Sequence, residues 1–323
     1  MIKYTVKRIL MIIPIVLGVT FILFVLLYSL PGSMLRFMPI NSNGDALDSL
    51  FRFFNPGDNI ITKYIRYCYN VFIRFELSIT GSAARMLSRD LGYRIRNTLL
   101  LLFSGALVTV IAGIPIGVYT AVRKDRITDR IFNTISLFLS AIPNYAMATM
   151  LTLTFVVYIR VIPLFSIDYR SPVAFILPSL TIFLGGVASI SRMTRTSVLE
   201  TLDRPFITAL RAKGLRDSEV IWKHAIKNAV VPTAAVLGGL ISSLLCGTLV
   251  VEYFFNVPGL GSFMLKAVGS RDHFAILGCT IIMTIILSAT NTLSDILYAF
   301  VNPQIRREYA GVKRNPVRKG IVE

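Results

Sequence analysis

Six apolar stretches, at residues 9–30, 98–122, 131–159, 173–190, 229–251 and 274–301, decide what this chain can fold into. A helix needs about 20 largely apolar residues to cross the hydrocarbon of a bilayer. Five of the stretches reach that length and the fourth falls just short of it. Within lipid every backbone N–H and C=O has to be paired inside the protein, so such stretches become helices. The sequence therefore predicts an all-α membrane protein with six transmembrane helices. Only 16 % of the residues are charged, against about a quarter in soluble domains. The first stretch is longer than the roughly 7–15 apolar residues of a secretion signal, and no small-x-small cleavage site follows it. It is expected to stay as an anchor.

The loops set the direction of insertion. Short loops rich in Lys and Arg stay in the cytoplasm, whereas loops longer than about 60 residues escape the rule. The loop at 123–130 carries Arg123, Lys124, Arg126 and Arg130 in eight residues, the densest basic run between spans. The segment 31–97 is the long exception. Both termini and the charged stretch after the fourth span are thus expected in the cytoplasm, with 31–97 outside. The net charge of +17 follows from this bias. It does not indicate nucleic acid, since the basic residues alternate with apolar spans instead of lining one face.

Little chemistry lies within the spans. Three cysteines make no disulfide framework, and the two histidines, His224 and His273, fall outside the apolar stretches. No metal site and no protease constellation is expected there. Asp295 is the one acid well inside a span, near its cytoplasmic end, where a capping or interfacial role fits better than a proton relay. A secondary transporter would need coupling charges or repeats at the midplane, and a lone channel leaves the charged stretch unexplained. Ser140, Asn144, Tyr145 and Thr152 are polar in the otherwise apolar third span and are the pore-lining candidates, although packing hydrogen bonds explain them as well. The chain has no G-x-x-x-x-G-K-[ST] loop to cradle ATP.

The most informative stretch is LDRPFITALRAKGLRDSEVIWKHAIKNAVVP, residues 202–232. Asp203 can cap a helix with Pro205 in its first turn, and Gly214 supplies a left-handed stop. Asp217 can cap a second helix that leads into the fifth span. The first helix is about ten residues long and cannot span. Phe206, Ile207 and Leu210 are expected to form an apolar ridge among Arg204, Arg211, Lys213 and Arg216. On this pattern alone it is either a connector resting on lipid headgroups or an amphipathic knob for another protein's groove.

The same run resembles the EAA coupling loop of ABC importer permeases, in the longer form of the dipeptide, oligopeptide and nickel family. The family elements are Ala-Lys-Gly-Leu at 212–215, His-Ala-x-x-Asn-Ala at 224–229, and Pro232. The likeness extends through SRMTRTSVLE at 191–200, GTLVVEYFFNVPGLG at 247–261, SRDH at 270–273 and SAIPNY at 140–145. The opening helix is similar too. Thr208 and Leu210 replace the motif's acid and second alanine, and FELS at 75–78 stands near where the family has Gly-Asp-Leu-Gly.

The resemblance implies a type I importer permease fold. An anchor and long external loop occupy 1–97, a five-helix core 98–302 with the coupling loop at 191–228, and a basic tail 303–323. It implies a non-catalytic pore subunit in the cell membrane, paired with a second homologous permease, two cytoplasmic ABC ATPases and an extracytoplasmic substrate-binding protein. ATP and magnesium would sit on the ATPases and no cofactor on this chain. Phe206, Ile207, Ala209 and Leu210 would fill the ATPase groove, with Arg211, Lys213 and Arg216 at its rim and Gly214 fixing the angle. Glu252, Pro258, Gly259 and Gly261 would belong to an external gate. The cargo expected from the family is short peptides, with nickel as the rival.

Overall fold

The computed structural model describes residues 2–29, 57–74, 82–162, 171–270 and 272–301. Residues 30–56, the FELS segment, Arg271 and the tail 303–323 lie outside them. The described elements are helices. α1 spans Ile2–Ser29, α2 Ile60–Phe72, α3 Ser82–Val122, α4 Ile127–Ala141 and α5 Asn144–Thr152. α6 spans Ile176–Leu202, α7 Pro205–Ala212, α8 Ile226–Phe254, α9 Leu260–Gly269 and α10 His273–Val301. Five of these are long and apolar enough to cross a membrane by themselves, and the bent pair α4–α5 makes a sixth candidate.

That bent pair corrects the expectation of one straight third span. α4 ends at Ala141, and the continuing chain Asn144–Tyr158 departs at 105°. Pro143 is the cause. It has no N–H for the helix ladder, and its ring drives the preceding residue out of the helical region. Ile142 accordingly sits at φ −79°, ψ 124°. The second arm loosens into a π-helical turn at Leu153–Tyr158.

α3 also differs from the simple span predicted for 98–122. Its 41 residues run about 60 Å, roughly twice the hydrocarbon thickness. It passes unbroken through residue 97, where the sequence placed the end of the external loop. α6 likewise outruns the short fourth span by continuing to Leu202, carrying Arg192 and Arg195 beyond the apolar part.

α6 is the central helix, packed against α3, α4, α5 and α8. Lipid tails are as apolar as leucine, so helices in a membrane gain by close backbone approach at small residues. α3 supplies these at Gly113 and Gly117, a G-x-x-x-G pair. A Cβ on Gly117 would lie 2.5 Å from the Ser191 carbonyl and 2.6 Å from Thr194 Cβ. A Cβ on Gly113 would meet Ile190 Cγ2 at 2.8 Å. From the other side Gly186 accommodates Thr109, whose Oγ1 would be 2.5 Å from a Cβ there. Polar pairs lock neighbouring crossings. Ser104 meets Ser179 at 2.9 Å between α3 and α6, and Ser242 donates to Asn291 Oδ1 between α8 and α10. α1 lies outside this core against α10, joined by Arg8 and Asp295 at 2.7 Å.

Gly117→Val is expected to force α3 and α6 apart, at a cost of at least about 1–3 kcal/mol for overpacking a tight contact. Gly185→Val, at a position with nothing within 4 Å of a new Cβ, is expected to melt near the parent. Thermal unfolding of the two purified variants in detergent checks this difference.

Candidate functional site

Two structures sit at opposite ends of α8, and they hold most of the residues singled out in the sequence. At its N-terminal end is α7. Its cap is Arg204, not Asp203, and no side chain hydrogen-bonds the free N–H groups. Pro205 occupies the first helical position, where its missing N–H costs nothing. The helix is eight residues long, shorter than the ten expected.

α7 closes at Gly214, whose φ of +83° lies in the left-handed region. Nothing lies within 4 Å of a Cβ there, so the backbone conformation, and not crowding, is what favours glycine. Backbone bonds from Lys213 to Ala209, Gly214 to Arg211 and Leu215 to Leu210 wrap the helix end. Arg211 Nε donates to Asp217 Oδ1 at 3.1 Å across the turn, so it pairs within the loop instead of standing free at a rim. Asp217 opens a single helical turn, Asp217–Glu219, whose cap is Arg216. A π-helical turn, Val220–Ala225, then feeds α8.

The apolar ridge is divided. Ile207 is fully buried against Val220 and Ala225, with Leu202, Leu210 and Leu215 packed around them. Ile207 therefore cannot lie on an exposed docking face. The physical reason is angular: Ile207 and Leu210, three apart, share one side of the helix, while Phe206, Ala209 and Lys213 share another. Phe206, Ala209, Arg211, Lys213, Gly214 and Arg216 are exposed, and Leu210 is half-buried. α7 is thus a short rod keyed by Ile207 to the end of α6 and the entry to α8. Trp222, the chain's sole tryptophan, is 69 % exposed on the π turn, and no periodicity in the sequence singled it out.

A further tie lies close by. Arg195 of α6 donates through Nε and Nη2 to the two carboxylate oxygens of Asp129 at 2.7 and 2.8 Å. Asp129 also accepts from the Asp125 N–H at 3.0 Å. One buried carboxylate therefore fixes the basic 123–126 turn, the start of α4 and α6 together. Neither residue was picked out from the sequence, since they stand 66 positions apart.

At the other end of α8 the side chain of Glu252 is fully buried. Its Oε2 accepts the N–H groups of Gly261 at 2.8 Å and Ser262 at 3.1 Å. These are among the free donors at the N-terminus of α9, where a negative charge is favoured. Glu252 thus caps a helix that follows it in the chain. The glycines belong to the same device: a Cβ on Gly259 would collide with the Glu252 carboxylate, and one on Gly261 would come within 2.6 Å of Leu249 Cα. The Pro258 carbonyl accepts from Asn97 Nδ2 at 3.0 Å, and the Leu260 N–H donates to Thr98 Oγ1 at 3.0 Å. Glu252, Pro258, Gly259 and Gly261 are therefore brought together, with Asn97 and Thr98 of α3 as partners that sequence reading missed.

The four pore-lining candidates do not share one face. Ser140 ends α4, while Asn144 and Tyr145 open α5 beyond the Pro143 elbow and Thr152 closes it. Ser140 bonds back to the Leu137 carbonyl and Tyr145 is exposed. Asn144 abuts Gly247 of α8, where a Cβ would lie 2.6 Å from its Nδ2.

These helices define a polytopic helical membrane protein with a short helical knob at one end of its core. Residues 113–307 match the family described as binding-protein-dependent transport system inner membrane component. The chain belongs to this family. It is 31 % identical over 319 residues to a dipeptide transport system permease protein of Bacillus subtilis, covering 96 % of this chain and 100 % of the relative. An oligopeptide transport system permease protein of the same organism is 29 % identical over 94 % of this chain and 99 % of its own length. A glutathione transport system permease protein of Escherichia coli K12 is 28 % identical over 95 % and 99 %.

Glu252→Ala is expected to leave two buried N–H groups unpaired, at about 1–3 kcal/mol each. Gly259→Ala should destabilise by collision with the carboxylate. The double variant should lose less than the sum of the two, because the collision disappears with the carboxylate. Thermal unfolding of the three variants in detergent measures the coupling.

Proposed function

We propose that this chain is one membrane subunit of the pore of an ATP-driven importer of short peptides. In this reading it pairs with a second, homologous permease subunit and takes its cargo from an extracytoplasmic binding protein. Two cytoplasmic ATPases hold ATP and magnesium and drive the cycle, and this chain binds no cofactor. Its termini and α7 face the cytoplasm, as the basic loops indicate. Support for peptides as cargo comes from relatives named for dipeptides, oligopeptides and glutathione that match it from end to end.

The observation that carries the reading is the docking of α7 through Ile207 onto the junction of α6 and α8. An ATPase groove would receive Phe206 and Ala209, with Lys213 and Arg216 at its rim and Arg211 held by Asp217. Burying one or two apolar side chains at about 1.5–3 kcal/mol each is enough to grip the rod. Movement of the rod reaches the core through Ile207, because close-packed interiors transmit displacement. α8 then connects this point to Glu252, Gly259 and Gly261, which serve as part of the external gate. The polar residues Ser140, Asn144 and Tyr145 around the α4–α5 elbow, with Thr152 at the far end of α5, are the proposed pore contacts.

Phe206→Asp and Ala209→Asp change exposed positions and should leave the fold intact. Uptake of a radiolabelled dipeptide by cells carrying the whole importer is expected to fall at least about tenfold, the effect of losing roughly 1.4 kcal/mol, together with loss of ATPase co-purification. Full uptake with both variants overturns the coupling role of α7. Uptake of nickel without peptide by the parent overturns the cargo.

A further inference from the structure

α2, Ile60–Phe72, lies in a segment that the sequence assigned to an external loop, yet its contacts place it beside the membrane-spanning part of α1. The Tyr64 hydroxyl donates to the Leu17 carbonyl at 2.6 Å and meets Thr20 Oγ1 at 2.9 Å. Its ring packs edge-on against Phe21, with centroids 5.0 Å apart, and Tyr67 packs beside Phe24 at 5.9 Å. Lys63 Nζ donates to the Tyr28 hydroxyl at 2.6 Å, close to the end of α1. Leu17 is twelve residues from Ser29, the last residue of α1, or about 18 Å along the helix. That is more than half of the roughly 30 Å hydrocarbon thickness.

The inner side of α2 is dry. Tyr67 and Val71 join a buried cluster with Phe24 of α1, Leu260 and Phe263 of α9, and Leu277 of α10. The outer side carries an apolar stripe. Ile61, Ile65, Tyr69 and Ile73, spaced by four, form one stripe along the helix and are 51–63 % exposed. Ile22 and Leu26 of α1, at the depth of the Tyr64 and Tyr67 contacts, are similarly exposed.

We infer that α2 is embedded in the leaflet at the Ser29 end of α1, its Ile61–Ile65–Tyr69–Ile73 face lying against lipid acyl chains as a continuation of the lipid-facing surface of α1. A helix can do this although it is too short to span, because its backbone is satisfied internally and Lys63 and Tyr64 find hydrogen-bond partners on α1. Its cations have partners of their own, Arg66 with Asp58 at 3.0 Å and Arg74 over the Tyr69 ring at 5.5 Å, and long basic side chains can extend from buried stems toward headgroups. An apolar stripe of this length left in water would be unusual. Part of the 31–97 segment is therefore a collar within the bilayer, wedged between lipid and α9. The inference concerns lipid contact alone and does not depend on the cargo or on the ATPases.

The test is photo-cross-linking in native membranes with the full chain and its partners present. A benzophenone amino acid is placed at Ile65, or at Ile22 as the lipid-facing reference, and products are read by mass spectrometry after irradiation. Phospholipid adducts at Ile65 in a yield within about twofold of those at Ile22 are expected for acyl-chain contact. Three results overturn the inference: cross-links from Ile65 to another protein, cross-links to residues 30–56 of the same chain, or no lipid adduct at Ile65 while Ile22 yields one.

Discussion

The close approach of α3 and α6 is the contact on which the remaining arrangement depends. Water supplies no driving force between helices inside a bilayer, so their affinity rests on backbone proximity and on polar pairs. Gly113 and Gly117 from one side and Gly186 from the other remove the side chains that would hold the two helices apart. Once α6 is fixed along α3, its other faces present Ser191 and Arg195 to their partners. Ser191 meets Ser136 at 3.4 Å and Arg195 grips Asp129, which together place α4. α8 then packs on both α6 and α3.

The parts legible in the sequence were those governed by length and local backbone chemistry. The spans at 98–122, 229–251 and 274–301, and residues 9–29 of the first, each fall within one long helix, because nothing else can satisfy an apolar backbone in lipid. Gly214 was legible since only a left-handed residue stops a helix in that way, and its φ of +83° agrees. The elbow at Pro143 is present in the sequence only as a proline inside the third apolar stretch. Whether such a proline kinks a helix slightly or breaks it depends on neighbours that one chain's pattern does not reveal. α2 escaped because a 13-residue helix cannot span, and the length criterion says nothing of helices that lie in one leaflet.

Site geometry was less legible than the elements that carry it. Phe206, Ile207, Ala209 and Leu210 look alike as apolar residues, but they divide between an exposed and a buried side. The buried side is set by Val220 and Ala225, the first and last residues of the π-helical turn that follows Asp217–Glu219. The π geometry rotates every later residue relative to an ordinary helix, so extrapolating periodicity across it assigns faces wrongly. Asn97, Thr98, Asp129 and Arg195 escaped for a different reason: their partners are remote in sequence.

The placement of Glu252 bears on how the two ends of α8 are connected. A helix N-terminus is usually capped by the residue immediately before it, but Gly259, in that position, has no side chain. The cap comes instead from the last turns of α8, so α9 has its capping partner only while α8 stays in register with it. Asn97 and Thr98 hold the intervening turn to α3 in the same way. A shift of α8 along its axis would break bonds to buried N–H groups at α9, each costly to leave unpaired, unless α9 moved too. Because α8 begins where Ile207 docks the α7 rod, the same 29-residue helix carries both attachments. The α7 knob and the Gly259–Gly261 segment are thereby attached to opposite ends of one helix, and a local cap at Gly259 would have left the second attachment independent of α8.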